Sequence, residues 1–590
     1  MIETGKESYL ETVQSLKQVQ KMSLGAELEK QASAQPEHPA VIDGERIITY
    51  KQLNLLSNRY ANFFSEQGFK KGDVVALMME NRPEYLMAII GLSKLGVISS
   101  LINIGVRGEV LADGINMCEA RAVIVGHELL DIFSTIDERI RLKAPARIFI
   151  ETEDMDIELP PGTENINALL KNALDSNPET TGQITTEDIL VYLYTAGNTG
   201  WRKATAITQR RWLKMGNQYV MLAHFDKATV QYMCLPLFYN SAFNVCFSSM
   251  IISGSTMVLK RKFSVHIFWD DIRKYQANYF VSVGEMARYI YSQPERPDDA
   301  DNPLENMICN GMWGRLIEPF RQRFGLKHIF EHYGTTEGVG TYINHEEILN
   351  MCGNLTLAGM HQGEVVRYDP LSDEMVFDEY GRAIKCTPGE AGILIGEINE
   401  LNVFMGYLNE PEASDARLLK NVFQEGDLYF NSGDLVKLHI NEYISFVDRL
   451  GDTYRWKSRT VSSNQVADVI NKFFGGIEDC TVYGVRMPGM EGRCGMAAVK
   501  LMEDEQLDWQ KLIAHINKRM PPHARPIFIR ICEELDTTEN LKQLNKQLQQ
   551  EGFDPGKISN PIYFLDPQKD QYVPLTPEIY RLLLNEQIRL

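Results

Sequence analysis

The sequence has no CxxC pair. Its nine cysteines are scattered from Cys118 to Cys532, which excludes zinc-ligand spacing and a disulfide framework and leaves them reading as reduced, mostly buried thiols. Positive charge is in short supply as well. Lys+Arg 60 against Asp+Glu 79 gives a formal charge of −19, which excludes broad nucleic-acid binding and charge-driven docking on an anionic membrane, a local patch such as "LKRKF" at 259–263 aside. No clean apolar run reaches membrane-spanning length. Tyr85 to Gly105 comes nearest, but it contains Lys94, Gly91 and Gly96 and ends in "NIGVRGE", so it reads as a buried helix followed by a strand. The opening "MIETGKESYLETVQSLKQ" is mixed in charge without an apolar segment, unlike a secretory signal. The expectation is a cytoplasmic protein, with peripheral membrane contact through an N-terminal helix left open. There is no internal repeat or low-complexity tract.

What is there is a chain of 590 residues, more than one hydrophobic core supports, so two or more domains are expected. Short β-rich runs alternate with helical patterns. "GERIITY" leads into a helix on which Tyr50, Leu53, Leu56, Tyr60 and Phe63 share a face, with Thr49 and Gln52 spaced for a capping box. "DVVALMM" then reads as a buried strand, Asn81 and Pro83 as helix-start signals, and "VISSLIN" as the next strand. Further strands are predicted at "RAVIVG", "RIFIE", "DILVYLYT", "TMVLK", "NYFVSVG" and "NMICNG", most separated by room for a crossover helix. The fold class is α/β, with parallel-rich sheets covered by helices. From about Gly363 shorter alternating strands predict a small β-rich subdomain at 363–448, including a hairpin turning at "HINE". The domain boundary falls there: an N-terminal domain over 1–448 and a small, mobile α+β domain over 449–590.

A strand followed by a Gly/Thr turn, "DILVYLYTAGNTGWRKA", can aim backbone N–H groups at phosphate oxygens. It does not meet the Walker A pattern, because Gly197, Gly200 and Lys203 lie three apart. Alone, such a turn is more often only a turn. Two further stretches accompany it, "EHYGTTEG" at 331–338 and "NSGDLVKLHINEYISFVDRLGDTYRWK" at 431–457. In this order the three resemble the YTSGTTGxPK, YGxTE and TGDL…DRxGD motifs of the acyl-adenylate-forming superfamily. Within it the sequence is most similar to the fatty acid transport protein, or very long-chain acyl-CoA synthetase, branch, on "FVDRLGDTYRWK", "YGVRMPGMEGRCGMAAVKL" and "QEGFDP…YFLDPQKDQYVPL". The resemblance runs from about Leu24 to the C-terminus.

The resemblance implies ATP- and magnesium-dependent activation of a carboxylic acid, a long- or medium-chain fatty acid, to acyl-AMP, then transfer to coenzyme A. It implies a phosphate loop made by Thr195, Gly197, Asn198, Thr199, Gly200 and Lys203. Glu337 corresponds to the magnesium-binding glutamate, Thr336 to the hydroxyl at the α-phosphate, and Tyr333 to the ring against adenine. Asp434 and Arg449 correspond to the pair on the ribose hydroxyls, and Lys542 in "TTENLK" to the lysine that reaches the carboxylate and α-phosphate. It leaves acyl chain length and oligomeric state open, a homodimer included.

Departures from the family pattern cluster. The loop has Ala196, Asn198 and Arg202 where the family has serine, a hydroxyl residue and proline; "PLFYNS" has Asn240 for histidine; "CNGMW" replaces GNGLR. "KSRTVS" puts Ser458, Arg459 and Thr460 in place of Gly-Glu-Asn in a turn that lines the family's pantetheine path. Three readings stay open: coenzyme A accepted past a changed wall, a different acceptor such as an amine or carrier protein, or a non-catalytic nucleotide-binding homologue.

Overall fold

The computed structural model describes residues 2–152, 157–194, 203–312, 314–369, 374–450, 454–456, 459–473, 475–488, 493–503, 505–535 and 545–588. Contacts group the chain into two units. The first comprises Met1–Gln362, Gly396–Leu419 and Leu428–Phe430; the second comprises Gly363–Ile395, Lys420–Asp427 and Asn431–Leu590.

The first unit contains the βα alternation expected from sequence. One sheet of seven strands runs Thr163–Asn165, Arg147–Glu151, Ala122–Gly126, Val74–Met78, Ile98–Leu101, Ile189–Tyr194 and Ala204–Thr208, parallel except for its last pair. A second, of eight strands, runs Thr341–Asn344, His328–Gly334, Asn306–Asn310, Tyr279–Val283, Val230–Met233, Thr256–Leu259, Pro39–Asp43 and Arg46–Thr49. Its two edge pairs are antiparallel and the rest parallel. Val74–Met78 is buried throughout, as a strand covered on both faces must be.

Local chemistry fixes the helices. Tyr50–Glu66 starts with the Thr49/Gln52 capping box, so two of the helix's unpaired N-terminal donors are satisfied reciprocally. Pro83 occupies the first turn of Pro83–Leu95, where a missing N–H costs nothing. Asn81 does not cap that helix: its amide accepts from Leu237 N at 2.9 Å and donates to the carbonyls of Leu235 and Lys260 at 2.9 and 3.0 Å. Lys94 is fully buried and donates to Glu29, Asn54 and Asn58 at 2.6 to 2.8 Å. Those three acceptors match the three donors of an ammonium and make its burial tolerable. The helix Ile2–Leu16 buries Tyr9, Val13 and Leu16, so that apolar face is covered by the protein itself. Among the described residues no helix is long and apolar enough to cross a membrane.

The second unit is β-rich in its first part and α+β towards the C-terminus. Leu428–Leu438, whose first three residues group with the first unit, and Tyr443–Arg449 form an antiparallel pair around His439–Glu442, the "HINE" turn. Five strands, Ile477–Arg486, Arg493–Leu501, Phe528–Cys532, Ile562–Asp566 and Gln571–Pro574, form a mixed sheet. Ser463–Asn471 packs on this sheet, and both it and Trp509–Arg519 are amphipathic helices. The α/β class is as the sequence predicts.

Candidate active site

In the first unit, several parallel strands end in short turns that carry the residues of interest, the usual place for ligands in open α/β sheets. His328–Gly334 runs into a turn closed by Gly338 N–H donating to the Thr335 carbonyl at 3.1 Å. Thr336 and Glu337 sit at its tip, both half-buried. Tyr333 precedes the turn and lies opposite Tyr342 on the antiparallel edge strand, with ring centroids 6.0 Å apart.

Glu337 accepts the Tyr407 hydroxyl at 2.6 Å. The Lys203 ammonium stands 4.6 Å from the Tyr407 ring centroid, a cation–π distance. Thus the lysine ending the proposed phosphate loop and the glutamate of the second motif meet on one tyrosine, although 134 residues separate them (337 − 203). Burial, then the Glu337 charge, raises the Tyr407 phenol pKa, so it stays a neutral donor.

Gln209–Leu222 supplies two cations. Thr208 caps this helix by accepting from Arg211 N at 3.3 Å, and Arg211 and Lys214 follow at the i, i+3 spacing that shares a face. Arg211 is 9% exposed, and its Nη2 makes only long contacts, 3.4 Å to Asn240 Oδ1 and 3.5 Å to the Thr335 carbonyl. Burial lowers its pKa to about 10, with Glu337 opposing the shift. Burial and the Arg211 charge lower Lys214 to about 8; Lys214 is bonded to Asn402 Oδ1. Gly338, at φ +77°, lies so close to Arg211 that an added Cβ would stand 1.9 Å from Cζ. Only a glycine fits there.

The neighbouring wall is equally tight. Gly284 begins the helix Gly284–Tyr291 with its Cα against the Gly311 carbonyl; a Cβ would meet that oxygen at 2.0 Å. From the other side Glu331 accepts from Gly311 N and Met312 N at 3.1 and 2.9 Å, holding the "CNGMW" turn.

Burial pushes Glu331 up from 4.5 to about 8 and its neighbour His332 down from 6.5 to about 4. Between pH 4.5 and 8 folded Glu331 holds a proton that the unfolded chain has released, so stability falls as pH rises. Between pH 4 and 6.5 His332 acts oppositely, neutral when folded and protonated when unfolded. The slopes offset one another until 6.5, leaving a fall of about 2 kcal/mol from pH 6.5 to 8. Chemical denaturation should register that fall in the wild type and a nearly flat profile in Glu331→Gln.

Of the sequence-predicted site residues, Lys203, Tyr333, Thr336 and Glu337 lie in the first unit as described. In the second, Asp434 and Arg449 are direct register partners across the antiparallel pair. Asp434 is 7% exposed, and at Arg449 the backbone alone is described. Thr195, Gly197, Asn198, Thr199, Gly200 and Lys542 lie outside the described residues. Of the altered turn, Ser458 lies outside as well, while Arg459–Val461 pairs antiparallel with Tyr454–Trp456. Sequence reading missed Arg211, Lys214 and Tyr407. "QRRWLK" offered a signal, three cations of which Arg211 and Lys214 stand three apart on a helix that also carries Trp212, Leu213 and Tyr219, but that pattern reads equally as a solvated stripe.

A two-unit α/β chain with a lysine, a turn glutamate and buried cations at its strand ends is of the kind that handles phosphorylated nucleotides. The AMP-binding enzyme family matches residues 28–408, and the AMP-binding enzyme C-terminal domain matches residues 474–542. Long-chain fatty acid transport protein 6 of Mus musculus is 34% identical over 565 residues, covering 94% of this chain and 89% of that one. The medium/long-chain-fatty-acid–CoA ligase FadD6 of Mycobacterium tuberculosis is 32% identical over 562 residues, covering 95% and 90%. Among solved structures, the anthranilate CoA ligase AuaEII in complex with anthranoyl-AMP superposes with a TM-score of 0.76 at 17% identity, covering 90% of this chain and 97% of that one. A Mycobacterium tuberculosis fatty acyl CoA synthetase superposes with a TM-score of 0.63 at 20% identity, covering 90% and 98%. The chain belongs to the AMP-binding enzyme family.

Proposed function

We propose that this enzyme activates a medium- or long-chain fatty acid with ATP and passes the acyl group to coenzyme A. A carboxylate oxygen attacks the α-phosphorus, pyrophosphate leaves, and acyl-AMP forms. The coenzyme A thiolate then attacks the acyl carbon and AMP departs. The observation that carries this reading is the meeting of Lys203, Tyr407 and Glu337, which joins the end of the phosphate loop to the glutamate turn.

The residues fit a magnesium–triphosphate complex. Magnesium takes hard oxygen ligands and is commonly held by one or two carboxylates together with substrate phosphates, and Glu337 offers one carboxylate beside a cation. When bound, magnesium would spread the charge of the leaving pyrophosphate. Lys203 and residues 195–200 are assigned to the phosphates, Thr336 to the α-phosphate, Tyr333 to adenine, Asp434 and Arg449 to the ribose hydroxyls. Lys542 is assigned to the reacting carboxylate and α-phosphate. The functional boundary is placed at 448/449, with 449–590 as a lid that moves between half-reactions about "RLGD". A cytoplasmic location with peripheral membrane contact accords with a lipid substrate.

Acid-dependent exchange of labelled pyrophosphate into ATP tests the first half-reaction, and AMP release with and without coenzyme A tests the second. Background exchange for every acid in a C4–C20 panel would overturn the proposal. The side chains of Ser458, Arg459 and Thr460 in "KSRTVS" support one alternative, transfer to an amine or carrier protein. Exchange without coenzyme A-dependent AMP release would select it. In that event the triple change Ser458→Gly, Arg459→Glu, Thr460→Asn should restore thioester formation.

A further inference from the structure

We propose that Arg211 binds the carboxylate of the acid substrate, with Asn240 orienting its guanidinium, so that this pair selects acids and positions them for attack; the proposal rests on the acid-activating function above. Three features of the geometry point to it. First, Arg211 is buried yet poorly coordinated: its Nε has no hydrogen-bond partner, Nη2 makes only the two long contacts to Asn240 and Thr335, and no carboxylate pairs with it among the described residues. A guanidinium has five N–H donors, and a buried, unpaired charge is expensive. An anion that arrives with the substrate would relieve both conditions.

Second, its position lies between the two halves of the chemistry. The guanidinium rests against Gly338 and reaches the Thr335 carbonyl, next to Thr336, which is assigned to the α-phosphate. On the other side it reaches Asn240, which leads into the buried, largely apolar segment Ser241–Phe247. The planar fork of arginine matches a carboxylate bidentately. Third, the orienting residue is itself held. Asn240 Oδ1 also accepts from Asn244 Nδ2 at 2.8 Å, across one turn of the π-helical segment Ser241–Phe247, an irregularity that recurs at functional sites. Asn240 Oδ1 can accept from Arg211 whatever the pH, whereas a histidine there would become a cation when protonated and repel the guanidinium.

The second anion at the site, the α-phosphate of ATP, is the competing ligand, and kinetics separate the two. Arg211→Met should raise KM for the acid at least 30-fold in pyrophosphate exchange while KM for ATP moves less than threefold. Arg211→Lys, which keeps the charge and loses the fork, should recover part of that loss, and Asn240→Leu should raise KM for the acid about fivefold. Equal rises in both KM values, a rise for ATP alone, or no change would overturn the proposal. A binding comparison needs no turnover: calorimetry with dodecanoate and dodecan-1-ol should give the wild type at least a tenfold preference for the acid, and Arg211→Met none. Equal affinity of the wild type for acid and alcohol would overturn the proposal. If exchange is absent with every acid, the activity assignment fails, and this comparison still decides the role of Arg211. Circular dichroism and melting on each variant exclude misfolding, and the lysine and leucine variants stand in if the methionine variant does not fold.

Discussion

Replacing Glu337 by glutamine is expected to lower kcat/KM for acid-dependent pyrophosphate exchange by about 10²- to 10³-fold, the scale on which a preorganised charge at a developing transition state is usually felt. The substitution is nearly isosteric. A glutamine oxygen can still accept the Tyr407 hydroxyl, which reaches Glu337 at 2.6 Å, so the turn should hold and the melting temperature should stay close to that of the wild type. What disappears is the negative charge that would hold magnesium, so the magnesium concentration for half-maximal rate should rise with the loss of rate. Tyr407→Phe provides the contrast. It removes a hydrogen bond to a charged group, worth about 1.5 to 3 kcal/mol, but leaves the carboxylate, and should cost far less activity. A Glu337→Gln enzyme with an unchanged magnesium requirement would remove Glu337 from the reaction and leave it a turn residue.

The second large effect is structural. Gly284→Ala places a methyl 2.0 Å from the Gly311 carbonyl oxygen, well inside van der Waals contact, and that atom is backbone. Relief requires shifting the Asn310–Met312 turn, whose N–H groups at Gly311 and Met312 are held by buried Glu331. Overpacking of this kind costs about 3 kcal/mol, which corresponds to a fall of roughly 5 °C or more in the melting of the first unit. Gly182→Ala is the matched control, because a Cβ there meets nothing within 4 Å and the backbone is ordinary; its melting temperature should be unchanged. Equal melting of the two variants would show that the Gly284–Gly311 approach yields without cost.

These two predictions mark where the sequence was readable and where it was not. The alternation of strands and helices was legible because periodicity and caps act within a few residues: the Thr49/Gln52 box and Pro83 in the first helical turn are properties of adjacent side chains. Asn81 shows the limit of that logic. It has the composition of a cap but is recruited by Leu235, Leu237 and Lys260, more than 150 residues away. The motif residues Tyr333, Thr336 and Glu337 stood out because they fall within one short stretch beside the turn glycines Gly334 and Gly338. Arg211 did not, because its meaning comes from Gly338 and Asn240, which the fold brings to it from two other segments. Lys94 was legible only as an obstacle to a membrane span; its acceptors at positions 29, 54 and 58 come from two other helices.

The most direct test of the central claim follows the substrate's own oxygen. Single-turnover reactions with ATP, coenzyme A and a fatty acid labelled with ¹⁸O in its carboxylate should yield AMP carrying one labelled oxygen, because the attacking carboxylate oxygen stays on the α-phosphorus when the thiolate displaces AMP. Unlabelled AMP, or label recovered in inorganic phosphate alongside ADP, would contradict attack at the α-phosphorus and with it the assignment of this site.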